Sequence, residues 1–427
     1  NLHKNLGFLC QSNKKQDHLP LFRLIRTLGT QFFVIFRSPV INLLNWLIMR
    51  RVCGLDVHKD SIYMCILYEN GSKIESVFGV LTPELDKLRD LLVSHHVCEV
   101  ALESTSIYWI PIWNILSVDF SLKLVNPYFI KQLPGRKSDV KDAEWIATVL
   151  QKGLIRGSYV PDRMIQCLRQ YERRNHELSK NIVHAEQRMD MILQRCNIRI
   201  SNYVSCISCK GYQKVVNAII SGESNPKVLV TLIHKRTLNK HGRQVVEDSL
   251  NGFVSDTDRD ILRQYRDERM QMEQHKSENK AKMQAICEAH YCEELELLQT
   301  LPGIKEESAA NIIAEIGVDM KMLLTTSAIV GWAGLKPRND QSAGKIKSRK
   351  ITHGNKYLRK ILVEAAWSAA RTKDSRFMKM YQRLLARGKS KQKALIAVAR
   401  KLLVLIWNML SKKEAFNPEY KRRIQAA

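Results

Sequence analysis

Residues 51–80 alternate in the manner of β-strands, the first of them, Val52–Val57, of the buried type. Three strands are expected, Val52–Val57, Ser61–Tyr68 and Lys73–Val80, with a turn at Glu69-Asn-Gly71 between the last two. The period then lengthens. Pro83 to His95 reads as a helix, with Thr82 as its cap and Pro83 at its first position. Val97–Leu102 and Ser121–Val125 are the next strands, and between them a helix over Ile107–Leu116 is shortened or kinked by Pro111. A helix over Asp139–Lys152 follows, with Ala143, Ile146, Ala147 and Leu150 on one side.

Beyond residue 160 the helical period dominates. Residues 162–200 and 256–291 are long, polar and nearly free of Gly and Pro, with apolar positions such as Ile182, Met189, Ile192 and Leu193 at helical spacing. Neither keeps a strict heptad, so a helical hairpin or short coiled coil is expected. Residues 205–255 between them are mixed. Further helices are expected at Lys356–Thr372 and Lys391–Leu410, with a shorter one between them. The fold class is therefore an α/β N-terminal domain of the ribonuclease-H or RuvC type, a helical coiled-coil arm, and a mostly α C-terminal domain. The expected boundaries are 49–160, 161–292 and 293–412, with a basic tail over 413–427.

Composition narrows the function. The chain of 427 residues carries a formal charge of +26. It is long enough for several hydrophobic cores, so the charge implies a polyanionic partner rather than disorder. Nucleic acid is the simplest such partner, and no basic amphipathic membrane anchor is visible after residue 50. The ten cysteines show no framework, which fits a reducing cytoplasm. Cys206 and Cys209, or Cys287, His290 and Cys292, have irregular spacing for zinc and read as ordinary thiols. Residues 1–48 differ from the rest. The first Met is Met49, and the upstream apolar runs are broken by Arg37, Ser38 and Pro39. These residues are expected to be upstream sequence translated in frame. They hold six Lys/Arg and one Asp, so the remainder keeps a charge of about +21.

Four acids stand out against this basic background. Asp56 and Glu103 end short apolar runs, at expected strand tips. Asp139 and Asp142 are three apart in a helical pattern and so point from one face. Each alone is commonplace, since Asp-x-x-Asp is usually a solvated helix face. Gathered together, such carboxylates repel unless a hard cation such as Mg²⁺ neutralises them. Two such ions can clamp the attacking and leaving oxygens of a displacement at phosphorus. Asp60, close by, is assigned to local structure.

Two basic features follow near the C-terminus. Leu298-Gln-Thr-Leu-Pro-Gly-Ile-Lys305 followed by an apolar helical run is a helix-hairpin-helix pattern, in which backbone N–H groups around Gly303 and Lys305 can hold a phosphate. A loop then runs to Asn355. Between Lys336 and Lys360 there are nine Lys/Arg and one acid, around Ser342 and Gly344. Lys345, Lys347, Arg349 and Lys350 are the candidate phosphate contacts here, joined by Arg136 and Lys137 ahead of the Asp139 helix.

This order of motifs resembles the DEDD transposases of bacterial insertion sequences, the family related to the Piv DNA invertase. The likeness lies in Gly54-Leu-Asp-Val-His-Lys-Asp60, Glu103-Ser-Thr-Ser-Ile-Tyr-Trp109, Pro134-Gly-Arg-Lys-Ser-Asp-Val-Lys-Asp-Ala-Glu-Trp145, Leu301-Pro-Gly-Ile and Gly334-Leu-Lys-Pro with Ser342-Ala-Gly-Lys345. It runs from about Met49 to about Leu410. It implies an acidic tetrad of Asp56, Glu103, Asp139 and Asp142 holding Mg²⁺, and a nucleophilic serine at Ser342. It also implies a homo-oligomer acting on double-stranded DNA in the bacterial cytoplasm, guided by a structured bridge RNA. One departure is Ala343, where the family usually has Gly.

Rival functions use fewer of these residues. A RuvC-like hydrolytic junction nuclease would need the tetrad and water but not Ser342. A degraded binding protein would keep the charge and lose the chemistry. A tyrosine recombinase using Tyr357, with His353 and Arg359, would leave the tetrad without a role.

Overall fold

The structure, a computed structural model, describes residues 50–127, 139–155, 157–337, 340–342, 345–348 and 350–418. Residues 1–48, and with them the expectation of an upstream extension, lie outside this set. The chain divides into two units, Asn1–Val160 and Pro161–Ala427.

The N-terminal unit is built on one mixed sheet. Its strands are β1 (Val52–Val57), β2 (Ile62–Leu67), β3 (Lys73–Phe78), β4 (Glu99–Glu103) and β5 (Ser121–Val125), in the order β3-β2-β1-β4-β5. The first three form an antiparallel meander, and β1, β4 and β5 are parallel. Gly71, at φ +84°, makes the tight turn from β2 to β3 that Asn-Gly predicts. Helix α1 (Thr82–Ser94) links β3 to β4 and α2 (Trp109–Leu116) links β4 to β5; both cover one sheet face, while α3 (Asp139–Gln151) covers the other. This mixed sheet with helices on both faces is the arrangement expected of a ribonuclease-H-like domain. Two local expectations are corrected. Leu81, not Thr82, is the N-cap of α1, and it makes no side-chain cap. Pro111 sits in the first turn of α2, where its missing N–H has no partner to lose, so it breaks nothing.

Gly54 sets how closely α3 lies on the sheet. A β-carbon there would stand 2.2 Å from the carbonyl oxygen of Ala143 and 2.5 Å from the amide nitrogen of Ala147. Neither backbone atom can give way without moving the helix. Gly54→Ala is expected to cost roughly 1–3 kcal/mol through overpacking, read as a lower urea midpoint for the sheet unit. A wild-type midpoint would show that α3 is not seated against β1 in this way.

The second unit is helical. Helices α4 (Arg163–Arg195) and α6 (Asp256–His290) are antiparallel, as three widely spaced contacts show. Arg195 pairs with Asp258, Glu186 lies 3.9 Å from Arg269, and Asn175 accepts from Asn279 at 3.1 Å. Both helices start on side-chain caps, Asp162 and the Ser255–Asp258 capping box. At one end α4 and α6 enclose a small core with α5 (Lys210–Ile220) and short helices over 226–229, 235–241 and 243–248. Tyr212, Val216, Ile219 and Val246 fill that core, which resolves the mixed character of residues 205–255.

At the other end Ile165 and Leu168 of α4, with Met283 and Cys287 of α6, join the main C-terminal core. This core also contains α7 (Cys292–Gln299), α8 (Glu306–Ile316), α9 (Thr326–Trp332), α10 (Lys356–Ala369), α11 (Arg376–Ala386) and α12 (Lys391–Lys412). Helix α12 is long and apolar enough to cross a membrane by length and composition. Its Val398, Leu402, Leu403 and Ile406 are fully buried against the other helices.

Candidate active site

Alternation along β1 decides which carboxylates meet. Cys53, Leu55 and Val57 enter the core under α1 and α2, while Val52 packs with α3, so Gly54 and Asp56 also face α3. Along β4, Val100 and Leu102 face α1 and α2 and Ala101 faces α3, which puts Glu103 on the α3 side. β1 and β4 are parallel with Leu55 opposite Leu102, so Asp56 and Glu103 are neighbours at the carboxyl ends of adjacent strands. Ligands of open α/β sheets commonly bind at such ends. The third acid comes from α3. Asp142 precedes Ala143, the residue pressed onto Gly54, and its charge is felt at Asp56.

Asp56 is only 5% exposed. Burial pushes its carboxyl above the ordinary aspartate value; His58 opposes this, and the charges of Glu103 and Asp142 add to it. His58 Nε2 stands 3.1 Å from Asp56 Oδ2, and Thr105 Oγ1 donates to Glu103 Oε1 at 3.1 Å. Three like charges thus share one corner of the sheet, against one half-exposed imidazole. Among the described residues no three His, Cys, Asp or Glu side chains converge closely on one point. Asp139 lies one helical turn before Asp142 on α3, and its side chain is outside the described set.

Residues expected to contact nucleic acid fall in several places. Arg136, Lys137 and Arg349 lie outside the described residues. Ser342 ends β6 (Asp340–Ser342), which pairs antiparallel with β7 (Lys345–Ser348), so Ser342 faces Lys345 in register. The expected loop is therefore a β-ribbon. Its pairing continues through a Pro337–Ile351 bridge and a bond from the Thr352 amide to the Lys336 carbonyl at 2.9 Å. Strand propensity here is weak, and it is this backbone ladder that sequence pattern does not reveal. The side chains of Ser342, Lys345 and Lys347 are not among those described, and Lys350 is exposed.

Gly303 and Lys305 lie in the turn between α7 and α8. Gly303 takes φ +89°, and a β-carbon on it would meet the Ala365 carbonyl oxygen at 2.4 Å. The glycine therefore lets the turn dock on α10. Lys305 is the N-cap of α8, but Glu306 and Glu307 fill that helix's first turn. Two carboxylates already occupy the end of the helix that favours anions, which weakens the case for a phosphate there.

Sequence pattern missed a second basic surface. Arg376, Lys379, Arg383 and Arg387 follow one another at three- and four-residue steps along α11 and its C-cap, beside the core-facing Phe377, Met380 and Tyr381. Lys389, Lys391 and Lys393 continue it, all exposed. Residues 371–393 hold nine Lys/Arg and one acid, the same imbalance as the ribbon segment, and that count was the available signal. Tyr357, the alternative nucleophile, is packed with its ring 4.9 Å from the Arg173 guanidinium and 5.1 Å from His176.

Known proteins resemble this chain in sequence. A family model described as a transposase, of the DEDD type of IS110 elements, matches residues 53–198, and a model described as the transposase IS116/IS110/IS902 family matches residues 295–382. The pilin gene-inverting protein of Moraxella bovis is 26% identical over 186 residues, 43% of this chain and 55% of that protein. That of Moraxella lacunata is 29% identical over 123 residues, 28% of this chain and 38% of that protein. The chain thus spans about half or less of the length of these two relatives. The transposase for insertion sequence element IS1111A of Coxiella burnetii is 21% identical over 373 residues, 86% of this chain and 91% of that protein. With both halves matched in order, the chain belongs to the DEDD transposase family of IS110-type insertion sequences.

Proposed function

We propose that this protein is a transposase, a site-specific DNA recombinase that cuts and exchanges strands through a phosphoserine intermediate. The observation that carries it is the buried Asp56 beside Glu103 and Asp142 at the ends of β1 and β4. The donor set is all oxygen and carries surplus negative charge, which fits a hard divalent cation. Bound by Asp56, Glu103, Asp139 and Asp142, Mg²⁺ would neutralise the scissile phosphate and favour ionisation of the attacking hydroxyl.

Ser342 Oγ attacks phosphorus, its bond to phosphorus forms as the bond to O3′ breaks, and a 3′-hydroxyl leaves with a proton. A carboxylate of the acid cluster is a suitable acceptor for the serine proton. In exchange, the 3′-hydroxyl of another strand attacks the phosphoserine and releases Ser342. The ribbon cations and the α11 stripe hold the phosphate backbone without reading sequence. Sequence choice is delegated to a structured RNA that pairs with donor and target DNA, as the family resemblance implies. The acid cluster and Ser342 are far apart in the chain, so a composite site between subunits of a dimer or tetramer is part of the proposal, acting in the bacterial cytoplasm.

The direct test is cleavage of plasmid DNA carrying the gene's flanking sequence, with Mg²⁺ or with EDTA. Metal-dependent cuts joined covalently to protein support recombination. Cuts with free ends on both sides would instead favour the hydrolytic nuclease.

A second expectation concerns salt. On duplex DNA the log–log slope is about −0.9 per phosphate neutralised. Replacing Lys345, Lys347 and Arg349 together is expected to flatten it by up to about 2.7 and to weaken all sequences alike. An unchanged slope would move the contact surface elsewhere, to the α11 stripe first.

A further inference from the structure

The Ser342 ribbon has a narrow root. It leaves the helical core after α9 and returns at α10, and at that point Gly334 and Gly354 touch backbone to backbone. A β-carbon on Gly354 would lie 2.3 Å from the Gly334 amide nitrogen and 2.5 Å from the Trp332 carbonyl oxygen. Asn355 fastens this root three ways. Its amide donates to the Trp332 carbonyl at 2.8 Å, and its side-chain oxygen caps α10 by accepting from the amides of Tyr357 and Leu358 at 3.0 and 3.1 Å. Its side-chain nitrogen donates to the carboxylate of Glu315.

Glu315 is fully buried at the end of α8. Arg173 of α4 donates to it at 3.2 Å, and Arg169 lies 4.0 Å away while donating to the Glu315 carbonyl oxygen at 2.7 Å. Beside this pair stands a second acid, Glu172 of α4, 7% exposed, whose Oε2 is buried and has no hydrogen-bond partner. Burial pushes the Glu172 carboxyl up to about 7, the charge of Glu315 adds to this, and Arg173 and Lys360 oppose it. The other groups around this corner are His176 on α4, Tyr357 and Lys356 on α10, and Lys276 on α6, which senses Lys360.

We propose that Asn355, Glu315 and Glu172 are positioning residues for Ser342, a lock that fixes the ribbon root to the long helix α4. This rests on Ser342 being the nucleophile. With Glu172 protonated, Glu315 keeps both its arginines and its bond to Asn355. When Glu172 ionises, its charge repels that of Glu315 in a buried corner and the root loosens. Protonated Glu172 stabilises the native state; that contribution is complete below its unfolded value and is lost as pH rises through about 7.

The test measures the rate of protein–DNA adduct formation against pH, alongside hydrogen exchange at the amides of residues 350–358. Asn355→Ser keeps a cap oxygen but cannot reach Glu315. It is expected to slow adduct formation roughly a hundred-fold, the cost of a small misplacement, with unchanged affinity for DNA and faster exchange at the root. The near-isosteric Glu172→Gln is expected to keep the wild-type rate below pH 7 and to lose the fall in rate above it. A wild-type rate in Asn355→Ser, or an alkaline fall that persists in Glu172→Gln, overturns the lock. The failure of the serine assignment looks different: an adduct mapping to another residue, with the exchange result at the root unaffected.

Discussion

A labelled suicide substrate is expected to give no covalent protein–DNA band with Ser342→Ala, while the wild-type chain gives one that maps to that serine. The hydroxyl contributes nothing to net charge, so binding of nucleic acid and of Mg²⁺ should persist. Removing a nucleophile from a working set lowers turnover by on the order of 10⁴-fold or more, and strand exchange, which needs the phosphoserine, should vanish with it. Ser342→Cys is expected to leave a trace of adduct, since a thiolate attacks phosphorus but differs in size and metal preference. If Ser342 served only to cap the ribbon turn, alanine would cost about 1 kcal/mol of local stability and leave the chemistry intact. An adduct that survives in Ser342→Ala, or maps to Ser348 or Tyr357, would falsify the assignment.

Asp56→Asn is expected to separate activity from stability. Cleavage should fall by a comparable factor, because this carboxylate is the most enclosed of the three described acids in the cluster. Stability should move the other way. Burial and the neighbouring charges hold the Asp56 carboxyl above its unfolded value, so its neutral form favours the native state. That contribution is complete below about pH 3.9, the unfolded value, and is lost as pH rises through the folded one. In EDTA the wild-type chain loses it progressively as pH rises, whereas asparagine never ionises, so at high pH the variant should melt at an equal or higher temperature. Adding Mg²⁺ should raise the melting temperature of the wild type more than that of Asp56→Asn. A variant that melts well below wild type in EDTA, or that still cuts DNA with Mg²⁺, would remove Asp56 from the site.

The N-terminal half was largely legible because its signals are local. Short apolar or alternating runs bounded by turn residues placed the strands of the sheet to within two residues or so, and the Asn-Gly turn marked the β2–β3 hairpin. That Asp56 and Glu103 lie at or near strand ends was legible from the apolar runs before them. That they are side by side was not, since it depends on β4 pairing with β1 in parallel and on which sheet face each residue takes. Gly54 entered the sequence reading only as part of a motif, yet its missing side chain is what admits α3 and with it Asp142. Farther on, the long helices were plain from their period, but the partners of their apolar ends were not. The lock at Asn355 joins residues near 172, 315 and 355. Contacts of that sequence separation leave no periodic trace. The ribbon was missed for a related reason: a run rich in Lys, Gly and Ser looks like a loop until its two sides are paired.

The two ends of helix α4 also meet their partners at very different times during synthesis. Its C-terminal end, with Met189, Ile192 and Leu193, closes onto residues translated soon afterwards, Tyr212 to Leu262. Its N-terminal end, with Ile165 and Leu168, belongs to a core completed by Leu402 and Ile406 of α12. At about 5–20 residues per second, the growing chain leaves that end without its full set of partners for roughly 10–50 seconds. The small inserted core can form on the ribosome almost at once, while the body that carries the ribbon must wait for its last helix. Nascent chains of this protein therefore pass through a stage with a finished tip and an open base, and the apolar surface at that base is what chaperones would meet.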